Sequence, residues 1–285
     1  MSSAVQSAVP LRVGTARRYL MCPPRYFTVR YTINPWMDPG QPVDTARAMA
    51  QWTALADTYR GLGHTVELID PEPGLPDMVF AANAATVIDG VVLGARFRNA
   101  QRAAEAGHYR RWFAAHGARE MIMPDAVNEG AGDLMWTGSL LLAATGFRTE
   151  PAAHAEAQER LGVPVISLQL VDPYYYHLDT CLLVLDDSPS APQVAYYPPA
   201  FSAASQRVLA RLFPDALIAT PPDAACLGLN GVSDGHCVVL PLEAVGLGRA
   251  LAVRGFEPMF VDVSELRLAG GGPRCCTLEL RGRRR

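Results

Sequence analysis

Lysine is absent from this 285-residue sequence, and all 25 of its strongly basic side chains are arginines. These arginines are scattered along the chain except in the terminal run from Arg281 to Arg285, and the formal net charge is only −3. A protein that binds nucleic acid usually concentrates its basic residues in a patch or stripe. We therefore expect no nucleic-acid partner, and we interpret residues 282–285 as a frayed, solvated basic tail.

Long apolar runs are also missing. No stretch approaches the roughly 20 consecutive apolar residues that a membrane-spanning helix needs. The first residues, Met1 to Ser7, lack the basic segment followed by an apolar segment that marks a signal peptide. We therefore expect a cytoplasmic protein that does not contact a membrane, with residues 1–16 as a poorly ordered tail.

The six cysteines include no CxxC pair. Cys275 and Cys276 are adjacent, and neighbouring residues of a strand point to opposite faces, which disfavours a disulfide between them. The histidines have no metal-ligand spacing relative to each other or to the cysteines, so we predict no metal and no cofactor. The remaining cysteines are interpreted as reduced, buried apolar residues: Cys22, Cys181, Cys226 and Cys237.

Apolar residues are plentiful enough for a large core. Hydrophobic residues make up 49% of the chain, and no linker or break in composition divides it. The simplest interpretation is one α/β domain over residues 17–281.

A helical pattern recurs about every 50 residues along the chain. Each predicted helix is followed by a short apolar strand and then by a loop that leads into a second pair of strands. The predicted unit is strand, strand, helix, strand, repeated about five times. The predicted helices are 44–61, 99–116, 149–161, 202–212 and 242–254, and the strands that follow them are 64–69, 121–123, 163–168, 216–220 and 258–263.

The loop after each short strand carries polar side chains at the same point of the unit. In a closed ring of such units these loops converge, so residues far apart in the sequence can meet at one central site. The loops are 75–83, 128–133, 176–179, 229–235 and 270–276.

The last of these loops presents a thiol. The glycine run 270–272 delivers a cysteine of the Cys275-Cys276 pair to an apolar strand, while His177 lies in an earlier loop and the acids Glu129 and Asp133 in another. A cysteine, a histidine and a carboxylate brought together by folding are the nucleophile, base and orienting group of covalent catalysis.

These elements, in this order, resemble the guanidine-modifying superfamily, which contains the dimethylargininases, arginine deiminases, arginine dihydrolases and amidinotransferases. The resemblance runs from about Tyr19 to Leu280. It implies a five-bladed α/β propeller, the pentein fold, and chemistry on an arginine-like guanidinium. The segments that carry it are Pro76-Asp77-Met78-Val79-Phe80, Asn128-Glu129-Gly130-Ala131-Gly132-Asp133, Gly146-Phe147-Arg148-Thr149, His177-Leu178-Asp179-Thr180 and Gly270-Gly271-Gly272-Pro273-Arg274-Cys275.

The resemblance also implies a catalytic set. It makes Cys275 the nucleophile, His177 the general acid and base, and Glu129 a carboxylate that orients the site and binds guanidinium. A thiol with an ordinary pKa of roughly 8.5 needs a nearby positive charge to ionise, and either His177 or the cationic substrate can supply it. Attack on the guanidinium carbon would give a thiouronium adduct that water then hydrolyses.

Five further residues are matched with substrate binding. Asp179 becomes a second guanidinium-binding carboxylate, and Asp77 becomes an acid of the substrate pocket. Arg148 and Arg102 match the arginines that hold the α-carboxylate of the substrate. Asn83 replaces an aspartate of the dimethylargininases and arginine deiminases. Carboxylates suit a guanidinium because it is a planar cation with five N–H donors.

Asn83 decides the expected subclass. Asparagine at this position, together with the upstream segment 31–37, is similar to the arginine dihydrolases, so the resemblance implies conversion of L-arginine to ornithine, two ammonia and carbon dioxide. A dimethylargininase or arginine deiminase that releases citrulline is the alternative. An amidinotransferase, a metal-dependent hydrolase of the arginase type and a non-catalytic propeller that binds a partner are weaker alternatives.

Several residues have a second interpretation from the sequence alone. Arg102 lies in a helix rich in Arg and Glu and can belong to a solvated face, and Asn83 can serve buried backbone. Asp133 is interpreted as support for its loop, and 229–235 as a turn that shapes the pocket wall. Residues 26–39, rich in Pro and aromatics, are expected to form a lid. The oligomeric state is left open, and exposed apolar edges of the blades are compatible with a homodimer.

Overall fold

The computed structural model describes residues 12–117 and 121–282. Within these residues the chain forms five separate three-stranded sheets, and at least one helix lies between the second and third strands of each sheet. The strands are β1 (Arg18–Met21), β2 (Thr65–Leu68), β3 (Ala85–Ile88), β4 (Val91–Gly94), β5 (Met121–Ile122), β6 (Leu134–Trp136), β7 (Leu141–Thr145), β8 (Val165–Gln169), β9 (Leu182–Asp186), β10 (Gln193–Tyr196), β11 (Leu217–Ile218), β12 (Val232–Ser233), β13 (Cys237–Pro241), β14 (Glu257–Val261) and β15 (Leu278–Glu279).

The five predicted segments are helical, one of them with a break, and the structure adds two short helices, 221–225 and 264–267, that the apolar periodicity did not predict. The helices are α1 (Thr45–Gly61), α2 (Ala100–Ala103), α3 (Glu105–Ala115), α4 (Pro151–Leu161), α5 (Ala203–Leu212), α6 (Pro221–Ala225), α7 (Val245–Val253) and α8 (Ser264–Arg267). None of the helices in the described part of the chain combines the length and the apolar character that a membrane crossing requires.

The five sheets share one topology. In each sheet the middle strand pairs antiparallel with the first strand and parallel with the third. Four sheets use consecutive strands, whereas the fifth has the order β15-β1-β2 and sets Tyr19 opposite Glu279. The predicted strand, strand, helix, strand unit is therefore confirmed. The final strand completes the sheet that the first strand began, which closes the five-bladed α/β propeller.

Helix α1 illustrates how the sequence sets these elements. Asp44 caps its first turn by accepting a hydrogen bond from the backbone N–H of Arg47 at 2.9 Å. Its core-facing residues recur at helical spacing, which buries one face against the sheets. They are Ala48, Gln51, Trp52, Leu55, Ala56 and Tyr59.

The predicted helix 99–116 is wrong as a single element, because the structure divides it into α2 and α3 at Ala104. Arg102 and Glu105 flank the break, and their side chains pair in the interior. A buried pairing of this kind is a tertiary contact, which helix propensity does not encode.

Four of the five polar loops precede the first strand of a sheet, whereas 229–235, expected to be a turn, contains the first strand β12 after its first three residues. Residues from these first strands line one central cavity, and Thr86, Leu183 and Glu279 are three of them. The first strands therefore form the inner wall of the ring, and the loops that precede them reach a common end of it.

Charged contacts tie the closing sheet to the β9 sheet. Arg17 pairs with Asp187 at 2.7 Å and with Glu279 at 3.2 Å. Arg281 pairs with the same two carboxylates. These alternating charges hold the end of β15 against the segment that follows β9.

The predicted tails, 1–16 and 282–285, lie mostly outside the described residues. Of the first tail, residues 12–16 are described. The guanidinium carbon of Arg12 lies 3.6 Å from the ring centroid of Phe256, and the N–H of Thr15 donates to the carbonyl of Asp234 at 2.9 Å. The domain boundaries at 17 and 281 stay predictions.

Candidate active site

Cys275 lies in the turn that leads from the glycine run into β15. It is only 2% exposed, and its Sγ is 3.1 Å from Nδ2 of Asn230 and 3.5 Å from Oδ2 of Asp179. Burial, reinforced by the negative charge of Asp179, raises the pKa of the Cys275 thiol well above its ordinary value. The sulfur is therefore a thiol that donates its hydrogen to Asp179.

The glycine run allows this close packing. A Cβ atom added at Gly272 would lie 2.9 Å from Oδ1 of Asn230. Any larger residue would push the loop away from Asn230, so glycine is required for the approach of the two backbones.

Glu129 connects a histidine and an arginine. Its Oε2 accepts hydrogen bonds from Nε2 of His177 and from a terminal nitrogen of Arg148, each at 2.8 Å. Burial alone would raise the pKa of Glu129, but the charge of Arg148 and the bond from His177 outweigh it and hold this pKa well below its usual range. Glu129 is therefore an ionised carboxylate in the interior.

His177 uses only one of its ring nitrogens in these contacts. Its Nδ1 is buried and has no hydrogen-bond partner among the described residues. The imidazole packs against the ring of Tyr176, with the ring centroids 4.7 Å apart. One nitrogen is thus held by Glu129, and the other is available for proton transfer.

Asp179 is buried beside the thiol, and burial raises its pKa to about 6. Its Oδ2 accepts from Cys275, whereas its Oδ1 has no partner among the described residues. An unpaired oxygen on a buried carboxylate is costly unless a donor reaches it.

Asp77 repeats this pattern on another loop. Its Oδ2 accepts a hydrogen bond from the hydroxyl of Tyr31 at 2.8 Å, and its Oδ1 is buried with no partner in the described chain. Burial raises the pKa of Asp77 as well, against the charge of Arg102. Asp77 and Asp179 together offer two buried carboxylate oxygens to a hydrogen-bond donor.

Asn83 lies between Arg102 and the Glu129 loop. Its Oδ1 accepts from Arg102 at 2.7 Å, and its Nδ2 is 3.5 Å from the carbonyl oxygen of Glu129. A Cβ added at Gly132 would lie 2.3 Å from that Nδ2 and 3.4 Å from the ring of His177. Asn83 and His177 therefore line the same small space around Gly132.

The solvated-face interpretation of Arg102 is wrong, since the residue is 3% exposed. Its guanidinium donates to both carboxylate oxygens of Glu105, at 2.9 and 2.8 Å, to Asn83 and to the carbonyl of Asp77. These contacts occupy most of its five N–H donors. Its match with an arginine that holds the substrate carboxylate stays a prediction.

The segment 26–39, expected to be a lid, contacts the site at several points. Besides the bond from Tyr31 to Asp77, the carbonyl of Ile33 accepts from Arg148 at 2.8 Å. The side chain of Asn34 donates to the carbonyl of Ala269 at 3.0 Å, just before the glycine run. The segment thus covers the buried side chains, and its opening stays a prediction.

Asp133 accepts hydrogen bonds from neighbouring loops, which supports its interpretation as a structural residue. Its Oδ1 accepts from the backbone N–H of Leu178 at 3.0 Å, and its Oδ2 accepts from the hydroxyl of Thr149 at 2.7 Å. It links the Glu129 loop to the His177 loop, and so fixes the distance between those two residues.

Three residues of the site were not among the sequence candidates for it: Tyr31, Glu105 and Asn230. Asn230 lies at the same point of its repeat as Glu129 and His177, so its position in the sequence indicated that it could lie at the central site. Tyr31 lay inside the expected lid without being singled out. Glu105 gave no signal, because an acid on a helix is usually exposed.

A histidine, a cysteine and a glutamate, residue types that bind metals, lie close together outside the site around Cys275. Among the described residues, His236, Cys237 and Glu257 lie close enough together to hold an ion. Glu257 is well exposed and pairs with His236 at 3.3 Å, as in an ordinary surface ion pair. This group shares no residue with the site around Cys275.

The chain resembles known proteins over most of its length, although no protein-family model matches it. The N(G),N(G)-dimethylarginine dimethylaminohydrolase of Mycobacterium tuberculosis (strain ATCC 25618 / H37Rv) is 51% identical over 269 residues, which cover 94% of this chain and 87% of that protein. The bifunctional arginine dihydrolase/ornithine cyclodeaminase ArgZ of Synechocystis sp. (strain ATCC 27184 / PCC 6803 / Kazusa) is 36% identical over 92% of this chain, which spans only 37% of that protein.

A solved structure of the N-terminal domain of ArgZ is also similar to this chain. A variant of the N-terminal domain of ArgZ bound to substrate, described as an arginine dihydrolase from the Ornithine-Ammonia Cycle in Cyanobacteria, matches with a TM-score of 0.88 at 36% identity. The match covers 93% of this chain and 98% of that one. The chain therefore belongs to the guanidine-modifying superfamily with the pentein fold, the family of the dimethylarginine dimethylaminohydrolases and the arginine dihydrolases.

Proposed function

We propose that this protein hydrolyses the guanidinium group of L-arginine by cysteine covalent catalysis, and that it acts as an arginine dihydrolase. The observation that carries the proposal is the thiol of Cys275 beside the buried carboxylate of Asp179, one oxygen of which is unpaired among the described residues. A guanidinium presents N–H donors in one plane and neutralises a carboxylate to which it donates.

Binding also sets the reaction geometry. An N–H of the substrate that donates to Asp179 brings the guanidinium to about 2.9 Å from that carboxylate. The sulfur of Cys275 is itself 3.5 Å from Oδ2 of Asp179. The central carbon of the guanidinium therefore comes close to the sulfur, and the positive charge of the substrate favours the thiolate.

The first half of the reaction forms citrulline. Cys275 attacks the guanidinium carbon, and its proton passes through His177 to the departing nitrogen, which leaves as ammonia. The remaining thiouronium is attacked by water, which restores the thiol and releases citrulline and one proton. Glu129 holds the imidazole and stabilises its protonated form, as its contact at 2.8 Å allows.

The second half repeats the same steps on citrulline. Attack of Cys275 on the ureido carbon expels the second ammonia and leaves a thiocarbamate. Water converts this to a carbamate, which decomposes to ornithine and carbon dioxide. The sum is one arginine and two waters to one ornithine, two ammonia and one carbon dioxide.

Asn83 supports the second half. A carboxylate in this position would accept N–H bonds from guanidinium but would face the lone pairs of the ureido oxygen of citrulline. An amide can accept from an N–H or, after rotation, donate to that oxygen. Citrulline can therefore stay bound for the second attack.

Dimethylarginine hydrolysis is the second candidate. The relative with 51% identity carries the name dimethylarginine dimethylaminohydrolase. In that reaction the same thiol would displace dimethylamine, and citrulline would be the product. The reaction uses the same catalytic groups and differs in the leaving group and in the fate of citrulline.

The test is to incubate the purified protein with L-arginine, with asymmetric dimethylarginine and with citrulline in parallel, and to follow ornithine, citrulline, ammonia and dimethylamine over time. Ornithine with two ammonia per arginine, lost in Cys275→Ser, supports the dihydrolase. Citrulline that accumulates with one ammonia or one dimethylamine would assign a deiminase or a dimethylargininase instead. No turnover of any of the three would contradict the proposal.

A further inference from the structure

Asn230 is buried completely in the loop before β12, and its side chain faces the Cys275 turn. Its Oδ1 accepts from the backbone N–H groups of Gly272, at 2.9 Å, and of Cys275, at 3.1 Å. Its Nδ2 donates to the carbonyl of Asp179, at 2.9 Å, and to Sγ of Cys275, at 3.1 Å. One amide thus joins the nucleophile loop, the sulfur and the loop that carries Asp179.

The orientation of this amide follows from its partners. Backbone N–H groups can only donate, so the atom that faces Gly272 and Cys275 is the oxygen. The carbonyl of Asp179 can only accept, so the atom beside it is the nitrogen. An N–H of Asn230 therefore points at the sulfur, and a flipped amide would lose three hydrogen bonds.

We propose that Asn230 is a catalytic residue that stabilises the thiolate of Cys275 by donating a hydrogen bond to its sulfur. The proposal rests on the proposed function, because it requires Cys275 to be the nucleophile. As a thiol, Cys275 donates to Asp179. Once ionised, the sulfur has no hydrogen to offer Asp179, and the N–H of Asn230 becomes its partner.

The buried surroundings of Cys275 disfavour the thiolate, so a hydrogen bond from Asn230 to the sulfur has a large effect on its ionisation. Burial and the charge of Asp179 raise the pKa of the Cys275 thiol, and the backbone N–H of Gly272 and then the hydrogen bond from Asn230 act in the opposite direction. Asp179 repels a thiolate until the cationic substrate is bound. Hydrogen bonds to charged groups are about twice as strong as neutral ones, so the amide favours the ionised sulfur over the thiol.

Two variants separate this role from simple support of the loop. Asn230→Asp keeps an oxygen for the N–H groups of Gly272 and Cys275, and so keeps the loop contacts, but places a carboxylate oxygen where the donor was. Asn230→Ala removes both kinds of contact. Asn128→Ala is the matched control. Asn128 is equally buried and accepts from the N–H of Gly130 in its own loop, at 3.1 Å, but does not contact Cys275.

The experiment measures the rate of alkylation of Cys275 by iodoacetamide as a function of pH, with the modified residue located by mass spectrometry. The rate follows the thiolate fraction and so reports the thiol pKa. We expect Asn230→Ala to raise this pKa by about one to two units. Asn230→Asp should raise it at least as far, and Asn128→Ala should leave it unchanged.

The outcomes are distinct. Asn230→Asp with the wild-type thiol pKa would overturn the inference and leave the amide a structural role. Should Asn230→Asp fail to fold, as judged by circular dichroism, Asn230→Ala with the wild-type pKa would overturn it equally. Undiminished turnover of arginine in Cys275→Ser would instead overturn the proposed nucleophile, and the inference with it.

Discussion

Oε2 of Glu129 lies 2.8 Å from Nε2 of His177, and both side chains are almost completely buried. The carboxylate is kept ionised by Arg148, which donates to the same oxygen. It therefore fixes the imidazole by one nitrogen and leaves the buried Nδ1 without a hydrogen-bond partner among the described residues. This arrangement supports the role that we propose for Glu129, the orienting carboxylate in a set of nucleophile, base and orienting group.

Replacement of Glu129 by glutamine should lower kcat strongly. Glu129→Gln keeps the shape of the side chain but removes the negative charge that stabilises a protonated His177. We expect kcat for arginine to fall by about 100-fold or more, which is the usual contribution of general acid and base catalysis. Steady-state kinetics at a temperature where the variant is folded measure this. Glu159→Gln, on the exposed face of α4, is the matched control. A kcat of Glu129→Gln within threefold of the wild-type value would contradict the proposed orienting role of Glu129.

Asn83→Asp should change the products more than the rate of the first step. A carboxylate still accepts from the guanidinium of arginine, but it cannot donate to the ureido oxygen of citrulline. Citrulline should therefore accumulate and the ratio of ornithine to citrulline should fall. Chromatography of time points with labelled arginine measures this ratio. Ornithine formed at the parent rate would show that Asn83 does not retain citrulline.

Asp179→Asn should make the protein more stable at neutral pH and less active. Burial raises the pKa of Asp179 to about 6 from 3.8, so the folded state binds more protons than the unfolded state between these values. The stability that Asp179 contributes is full below the unfolded pKa and is lost as the pH rises through about 6. Asparagine does not ionise and avoids this loss.

The measurement compares the free energy of unfolding of Asp179→Asn and wild type by urea denaturation. The difference should shift in favour of the variant by about 2 to 3 kcal/mol between about pH 4 and about pH 8. At the same time kcat/KM for arginine should fall, because the neutral amide does not neutralise a guanidinium. A stability difference that does not change with pH would rule out the buried, ionisable role of Asp179.

Tyr31→Phe should weaken substrate binding. The variant removes the hydroxyl that donates to Asp77 and loosens the segment 26–39 over the site. We expect KM for arginine to rise several-fold with a smaller change in kcat, because Tyr31 contacts Asp77, for which we propose a role in substrate binding, and not the thiol. Tyr26→Phe, in the same segment, is the comparison. Equal KM values for Tyr31→Phe and wild type would remove Tyr31 from the binding apparatus.

The repeat made most of the fold predictable. Apolar periodicity locates the five predicted helical segments. The pairing of β15 with β1 was not predicted, because it joins opposite ends of the chain. The break between α2 and α3 was not predicted, because it depends on the burial of Arg102 against Glu105, a tertiary contact.

The site was predictable where a residue type is rare or its position repeats. A thiol followed from the glycine run, and a histidine and acids from their loops. The choice of Cys275, His177 and Glu129 came from the resemblance to the guanidine-modifying superfamily. Tyr31 and Asn230 were missed because their importance comes from contacts with residues 46 and 45 positions away, respectively. Residue type alone does not distinguish an asparagine in a turn from one that donates to a sulfur.

The most direct test of the account is to trap the covalent intermediate. The protein is mixed with arginine, quenched in acid within the first turnovers and analysed by mass spectrometry after proteolysis. We predict an adduct with the mass of arginine less ammonia on Cys275, absent in Cys275→Ser and retained in Cys276→Ala. Turnover of arginine without any adduct on Cys275, or undiminished activity in Cys275→Ser, would contradict cysteine covalent catalysis.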